Sequence, residues 1–156
     1  MRRTDREIAD RTEILEIMKK CDSCSVAFVD EVYPYIVPMN FGVQVINDEI
    51  HLYFHGAKAG TKLRLLQKNP HVGFEMSTSH KLLPGDVACD TTMEYESVCG
   101  NGEIRVLEEE HMLQAMTALM NQYQPGKEHI FDPQMMKSIM VLDLKVNEIH
   151  GKRLKK

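Results

Sequence analysis

Apolar residues follow two periods along this chain. From Asp10 the spacing is helical: Ile14, Ile17, Met18 and Cys21 fall on one face. Thr4-Asp5-Arg6-Glu7 and Asp10-Arg11-Thr12-Glu13 both fit a capping box, which predicts a helix within residues 5–20. The period then drops to two. Residues 25–29 form a short apolar strand, and Asp30-Glu31-Val32 turns the chain. Over residues 34–41, Tyr35, Val37, Met39 and Phe41 share one face and Ile36, Pro38 and Asn40 the other. Pro38 has no N–H to give a ladder. It belongs on an edge, at a bulge, or where something other than a strand lies alongside.

The alternation returns after a turn at Asn47-Asp48. Ile50, Leu52 and Phe54 face one way; His51, Tyr53 and His55 face the other. Residues 59–68 read as a helix stopped by Asn69-Pro70, and Val72, Phe74 and Met76 mark the next strand. Residues 77–93 show no period and contain Pro84-Gly85, so they read as a long loop. Residues 94–107 read as a long strand whose Gly100-Asn101-Gly102 predicts a bulge or bend. Glu108-Glu109-Glu110 opens a helix with an apolar stripe of Met112, Met116, Leu119, Met120 and Tyr123, closed by Gln124-Pro125-Gly126. A last strand spans 138–146, followed by Ile149-His150-Gly151-Lys152. Six or seven strands and three helices, without regular β-α alternation, predict a mainly β (α+β) fold: an antiparallel barrel with peripheral helices.

Composition narrows the function classes. The 156 residues are expected to form one domain. A net charge of −4 without a basic face argues against nucleic-acid binding. The KRLKK tail reads as solvated lysines. No apolar run approaches ~20 residues, so no segment is expected to span a membrane. Met1-Arg2-Arg3 has no apolar stretch behind it and is not read as a secretory leader. Four cysteines without an export signal predict free thiols and a cytoplasmic location.

Four segments could carry chemistry. The first runs from Tyr53 to Lys62. Phe54, His55 and Gly56 end a strand, and Gly60, Thr61 and Lys62 begin a helix. A helix start offers unpaired N–H groups and a positive dipole end, and a lysine and a hydroxyl add to it, so the segment reads as a phosphate seat. It has neither P-loop nor Rossmann glycine spacing, and an ordinary strand–helix connection is the alternative. The second is Val37-Pro38-Met39-Asn40-Phe41, where a donor-free proline beside an asparagine leaves backbone groups for a flat heteroaromatic ring; an edge strand is the alternative. The third, Cys21-Asp22-Ser23-Cys24, is read as structural thiols, since no second CxxC exists and a strand rather than a helix follows. The fourth is Glu94-Tyr95-Glu96-Ser97-Val98, with Tyr95 and Ser97 on one face, either lining a groove or packing across strands. None of the seven histidines has an i, i+4 partner on a predicted helix, and no metal centre is assigned. The methionines at 112, 116, 120, 135, 136 and 140 read as core or dimer-interface filler.

In their order, VAFVDEVYPYIVPMNF, DEIHLYFHGAKAGTKLRLLQKNPHVGFE and YESVCGNGEI resemble the flavin-binding split-barrel proteins related to pyridoxamine 5′-phosphate oxidase, and among these the nitroimidazole-resistance branch. The resemblance implies a split β-barrel homodimer with FMN between the subunits. It implies a phosphate held around His55, Gly56, Gly60, Thr61 and Lys62, and a ring along Val37, Pro38, Met39, Asn40 and Phe41. Tyr95 and Ser97 match a strand that approaches the flavin, with the partner chain as one source of it. Thr61 stands where the oxidase has arginine, and that enzyme's C-terminal substrate segment is missing, so oxidation of pyridoxamine phosphate is not expected. The expected activity is an FMN-dependent oxidoreductase, with a nitroaromatic as one acceptor. A flavin carrier or sensor, and a haem-binding split barrel, are the alternatives.

Overall fold

A computed structural model describes residues 3–155. Helix α1 (Arg11–Lys20) starts at Asp10, whose carboxylate accepts from the Thr12 N–H at 2.7 Å and the Glu13 N–H at 3.3 Å. The first capping box starts no α-helix. Thr4–Arg6 makes one 3-10 turn, and β1 (Glu7–Ile8) pairs with the end of the last strand, Ile8 opposite Gly151. The reason is burial. Gly151 has no side chain where Ile8 and Ile14 pack, and Ile8 gains more in that gap than a capped turn would give.

Seven further strands complete the sheet: β2 (Cys24–Phe28), β3 (Tyr35–Met39), β4 (Gly42–Ile46), β5 (Glu49–Ala57), β6 (His71–Leu83), β7 (Thr92–Val106) and β8 (Ile139–Leu154). Their order is β3-β2-β6-β7-β8-β5-β4, antiparallel throughout, with β1 on β8. Strands β3 and β4 are the two margins of this path, yet only Asn40 and Phe41 separate them in sequence. The sheet must therefore curl until its margins meet, which makes a split β-barrel with its seam at those two residues. Pro38 lies on β3, a margin strand paired only with β2, as a residue without an N–H requires.

Val26, Phe28, Phe41, Leu52, Phe54, Val98, Leu142 and Leu144 fill the barrel. Each contributes about 1.5–3 kcal/mol relative to leaving it in water. On the outer face of β5 and β8, Tyr53 and Val141 pack under α3 (Glu109–Tyr123), through Ala115, Met116 and Leu119. Helix α2 (Thr61–Lys68) follows β5.

Three elements depart from the sequence reading. The aperiodic stretch 77–93 is mostly strand: β6 runs to Leu83, β7 begins at Thr92, and only residues 84–91 are loop. Ser79 at φ 58 and a register shift between Thr78 and Lys81 break the alternation while the pairing continues. Strand β8 likewise reaches Leu154. A fourth helix, α4 (Pro133–Ser138), was not anticipated, although Asp132 caps it through the Gln134 N–H at 2.7 Å and Pro133 opens it. Eight strands and four α-helices stand among the described residues. The bend at Gly100–Gly102 is present as a register shift between Asn101 and Gly102.

One knot holds the seam. The Tyr123 hydroxyl, at the end of α3, donates to the Asp22 carbonyl at 2.9 Å and accepts from the Phe41 N–H at 3.0 Å. The Asn40 side-chain amide donates to the same hydroxyl and to the Asp22 carbonyl, both at 3.2 Å. Above it α3 lies on β4 so closely that a methyl group at Gly42 would overlap the Leu119 backbone. Tyr123→Phe leaves the Phe41 N–H without its partner, and is expected to cost about 1–3 kcal/mol. Urea unfolding should show a lower midpoint at unchanged slope; an unchanged midpoint would count against the knot.

Candidate functional site

The phosphate-seat segment becomes the end of β5, a loop and the start of α2. Gly60 precedes α2 at φ +126, a backbone conformation that side-chain-bearing residues rarely adopt. It supplies no side-chain cap, and the first turn holds no acid. The N–H groups of Thr61, Lys62 and Leu63 therefore point out of the helix without intrahelical partners.

Lys62 reaches back over β5. Its Nζ would lie 2.7 Å from a Cβ at Gly56, so the glycine makes room for the ammonium. The same Nζ is 3.8 Å from the Met39 Sδ at the end of β3. The two segments read separately in the sequence thus meet at one point: Gly56, Lys62 and Met39, with Gly60 and Thr61 beside them. Among the described residues, no carboxylate oxygen lies within 4.0 Å of Lys62. A half-buried ammonium beside N–H groups without intrahelical partners is a candidate seat for an anion.

The other candidate residues fall around this point or away from it. Val37 is half-buried and Pro38 exposed on the open margin of β3. Asn40 spends its amide on the Tyr123 knot, and the Phe41 and Phe54 rings belong to the core, leaving only their backbone to a ligand. His55 alternates to the face of β5 opposite Gly56, so its ring points away from Lys62. Tyr95 and Ser97 are distant. Ser97 pairs with Lys152 on β8, whereas Gly56 pairs with Met140, roughly a dozen residues away and on the order of 40 Å along an extended strand. One chain does not bring them to the seat.

Two buried ionic networks escaped the sequence reading. Glu96, only 8% exposed, accepts from Arg153 Nε at 2.6 Å, Lys20 Nζ at 3.0 Å and Ser79 Oγ at 3.1 Å. Asp143, 2% exposed, accepts from Arg105 at 2.9 and 3.1 Å and pairs with His51 Nδ1 at 2.8 Å. Burial, then Asp143, pushes the neighbouring Tyr53 hydroxyl up. Alternation put Glu96 and His51 each on one face of its strand, but no local motif shows that ionic partners wait 38 to 92 residues away. The CxxC thiols are buried. Burial pushes Cys21 up to about 12 and raises Cys24 as well, so neither is a ready thiolate.

Beyond the seat lies a cavity of about 640 Å³ between the β5–α2 loop, the start of α3, α4 and the first residues of β8. Met140, whose Cε is 4.0 Å from the Gly56 Cβ position, is a wall shared by cavity and seat.

An antiparallel split barrel defines the class. Residues 10–153 match the sequence profile of pyridoxamine 5′-phosphate oxidase, and the chain belongs to that family. The structure is similar to that of a candidate 5-nitroimidazole antibiotic resistance protein from Bacteroides thetaiotaomicron, with TM-score 0.76 and 29% identity over 96% of this chain and 90% of that one. It shares its fold with an FAD and heme binding protein from Mycobacterium smegmatis, with TM-score 0.83 and 17% identity over 97% and 74% of the two chains. The flavocytochrome of Azotobacter vinelandii gives TM-score 0.82 and 17% identity over 100% and 72%. Curated proteins give no significant match.

Burial alone would raise the Glu96 carboxyl, but the hydrogen bonds from Lys20, Arg153 and Ser79 outweigh it and hold the group below its ordinary value. A lowered folded-state value stabilises the fold above the ordinary carboxylate range and ceases to do so as pH falls through the folded value. The stability difference between wild type and Glu96→Gln is expected to shrink as pH is lowered from 7 through about 4. A difference independent of pH in denaturant titrations would contradict this.

Proposed function

We propose that the chain binds FMN as a homodimer and acts as a flavin-dependent oxidoreductase, with nitroaromatics as an acceptor class. The observation that carries this reading is Lys62: a half-buried cation without a carboxylate, over a glycine, at an uncapped helix start. A phosphate monoester supplies the charge and the acceptor oxygens this point lacks. From there the margin of β3 leads away through Met39, Pro38 and Val37, an open apolar edge for a flat ring. The resemblance to the Bacteroides protein supports the acceptor class, and the flavin-binding relatives support the cofactor.

Bound there, the isoalloxazine supplies the electron transfer. The chain's own work is placement. Lys62 and the Thr61–Leu63 N–H groups fix the phosphate. The Tyr123 knot holds Asn40 and so sets where β3 ends. Tyr95 and Ser97 reach a flavin only from a second copy of the chain, which makes the dimer part of the site. His55, on the far face of β5, receives no phosphate contact in this reading.

The purified protein is expected to be yellow and to release FMN on denaturation; a colourless protein that ignores added FMN would sink the proposal. Lys62→Ala removes a charge-assisted hydrogen bond worth about 1.5–3 kcal/mol, so its FMN Kd should rise about 10- to 100-fold in a fluorescence titration. An unchanged Kd would move the phosphate elsewhere. Anaerobic NADH or NADPH should bleach the flavin, and a nitroimidazole should restore its colour. Bleaching without restoration would leave a carrier rather than a nitroreductase.

A further inference from the structure

The cavity beside the seat takes no part in holding the phosphate or the ring. At about 640 Å³ it falls within the ~300–1,000 Å³ of small-molecule sites. Its walls are mostly apolar and include Met112 from α3, Phe131, Met136 from α4 and Met140 from β8. Thioether sulfurs and a phenyl ring favour an aromatic guest over an aliphatic chain, through sulfur–ring and ring–ring contacts.

The charged groups of the lining narrow the guest further. Lys58 lies in the loop just past β5, Lys137 lies on α4, and Glu109 opens α3. Two cations against one acid leave one positive charge unmatched. Among the described residues, neither lysine has a carboxylate oxygen within 4.0 Å, whereas Lys20 is paired with Glu96 and Lys145 with Glu49. An apolar wall alone would not attract an anion, and an exposed lysine alone would hold one weakly. Together they select a molecule with an aromatic body and a single acid group. Such a guest buries its ring against the methionines. Its carboxylate stays at the mouth, where the lysine heads remain in water on apolar stems.

We infer that this cavity binds an aromatic monocarboxylate. Lys58 and Lys137 hold the acid group, and Phe131, Met112 and Met136 hold the ring. The site is separate from the phosphate seat. It has its own cations, and the two meet at the Met140 wall and at Leu63. The inference therefore does not rest on the flavin reading.

The test is titration calorimetry of the purified protein in excess FMN, so that the seat is filled and only the cavity is titrated. The probes are 2-naphthoate, its uncharged amide 2-naphthamide, and octanoate. Wild type is expected to bind naphthoate in the micromolar range, and at least tenfold more tightly than either of the other two. Lys58→Gln with Lys137→Gln should raise the naphthoate Kd about tenfold and leave the naphthamide Kd where it was. Retained naphthamide binding also shows that this variant is folded. Met136→Trp fills the cavity and should weaken acid and amide alike. No binding of naphthoate by wild type at millimolar concentration overturns the inference. Equal affinity for acid and amide overturns the role of charge, and tighter binding of octanoate overturns the aromatic class. A double lysine variant that keeps its naphthoate affinity, or loses acid and amide equally, overturns the assignment of the lysines. Unchanged binding in Met136→Trp places the guest elsewhere and overturns the site.

Discussion

The candidate site depends on one hydroxyl at the end of α3, that of Tyr123. Strands β3 and β4 are the free margins of the sheet, and the chain crosses between them in two residues. That crossing is stable only if its backbone groups find partners, since a buried unpaired N–H costs more than a hydrogen bond gains. Tyr123 supplies the partner for Phe41 and takes Asn40 and Asp22 with it. One residue earlier, Gln122 donates to the Met18 and Cys21 carbonyls at 3.0 and 3.1 Å, so the end of α3 also clasps the end of α1. The clasp fixes where β3 stops, and Met39, the last residue of β3, is the one that meets Lys62.

Charge is handled in two ways in this chain, and the contrast singles out the seat. Asp143 and Glu96 are buried and fully engaged, each by at least two cationic or polar partners from other strands or helices. Such arrangements offset the cost of taking a carboxylate out of water. Lys62 is half-buried beside a thioether sulfur instead. A chain that pairs its buried acids so completely has carboxylates to spare on its surface, yet among the described residues none is placed here. Gly56 and Gly60 reinforce the point. One makes space for the ammonium, and the other takes the backbone conformation that leaves the helix start bare.

What the sequence made legible follows from the range of the interactions. Alternation and helical spacing are local, so the faces of β3, β5 and the first part of β7, and the stop at Asn69-Pro70, were readable. The margin position of Pro38 was one of three that its missing N–H allowed. The seat was readable as a composition of glycines, a lysine and a hydroxyl at a strand–helix junction. Its geometry was not, because Met39 and Lys62 meet only once the barrel closes. Strand β6 hid behind Ser79, where one residue at positive φ erased the period without ending the ladder. Asn40 was read as open to a ring, but its amide is claimed by Tyr123, 83 residues away. Alternation put His55 on the face of β5 opposite Phe54, but that Lys62 lies over the other face, at Gly56, shows only in the fold.

The same margin that leaves β3 available to a ring also leaves apolar surface in water. Tyr33 is 80% exposed, Val32 77% and Ile36 58%, all within the segment that leads into β3 or on it. Leu82, Val87 and Met93, at the tip of the β6–β7 hairpin, are exposed as well. Such residues gain free energy when another surface removes them from water. A second copy that did so could bring its own β7, with Tyr95 and Ser97, toward the seat that its partner's Lys62 defines. Burial of the margin and completion of the site would then be one event. Weakening the apolar margin should lower ligand affinity even though none of those residues contacts the phosphate, because the site would be lost with the pairing that assembles it.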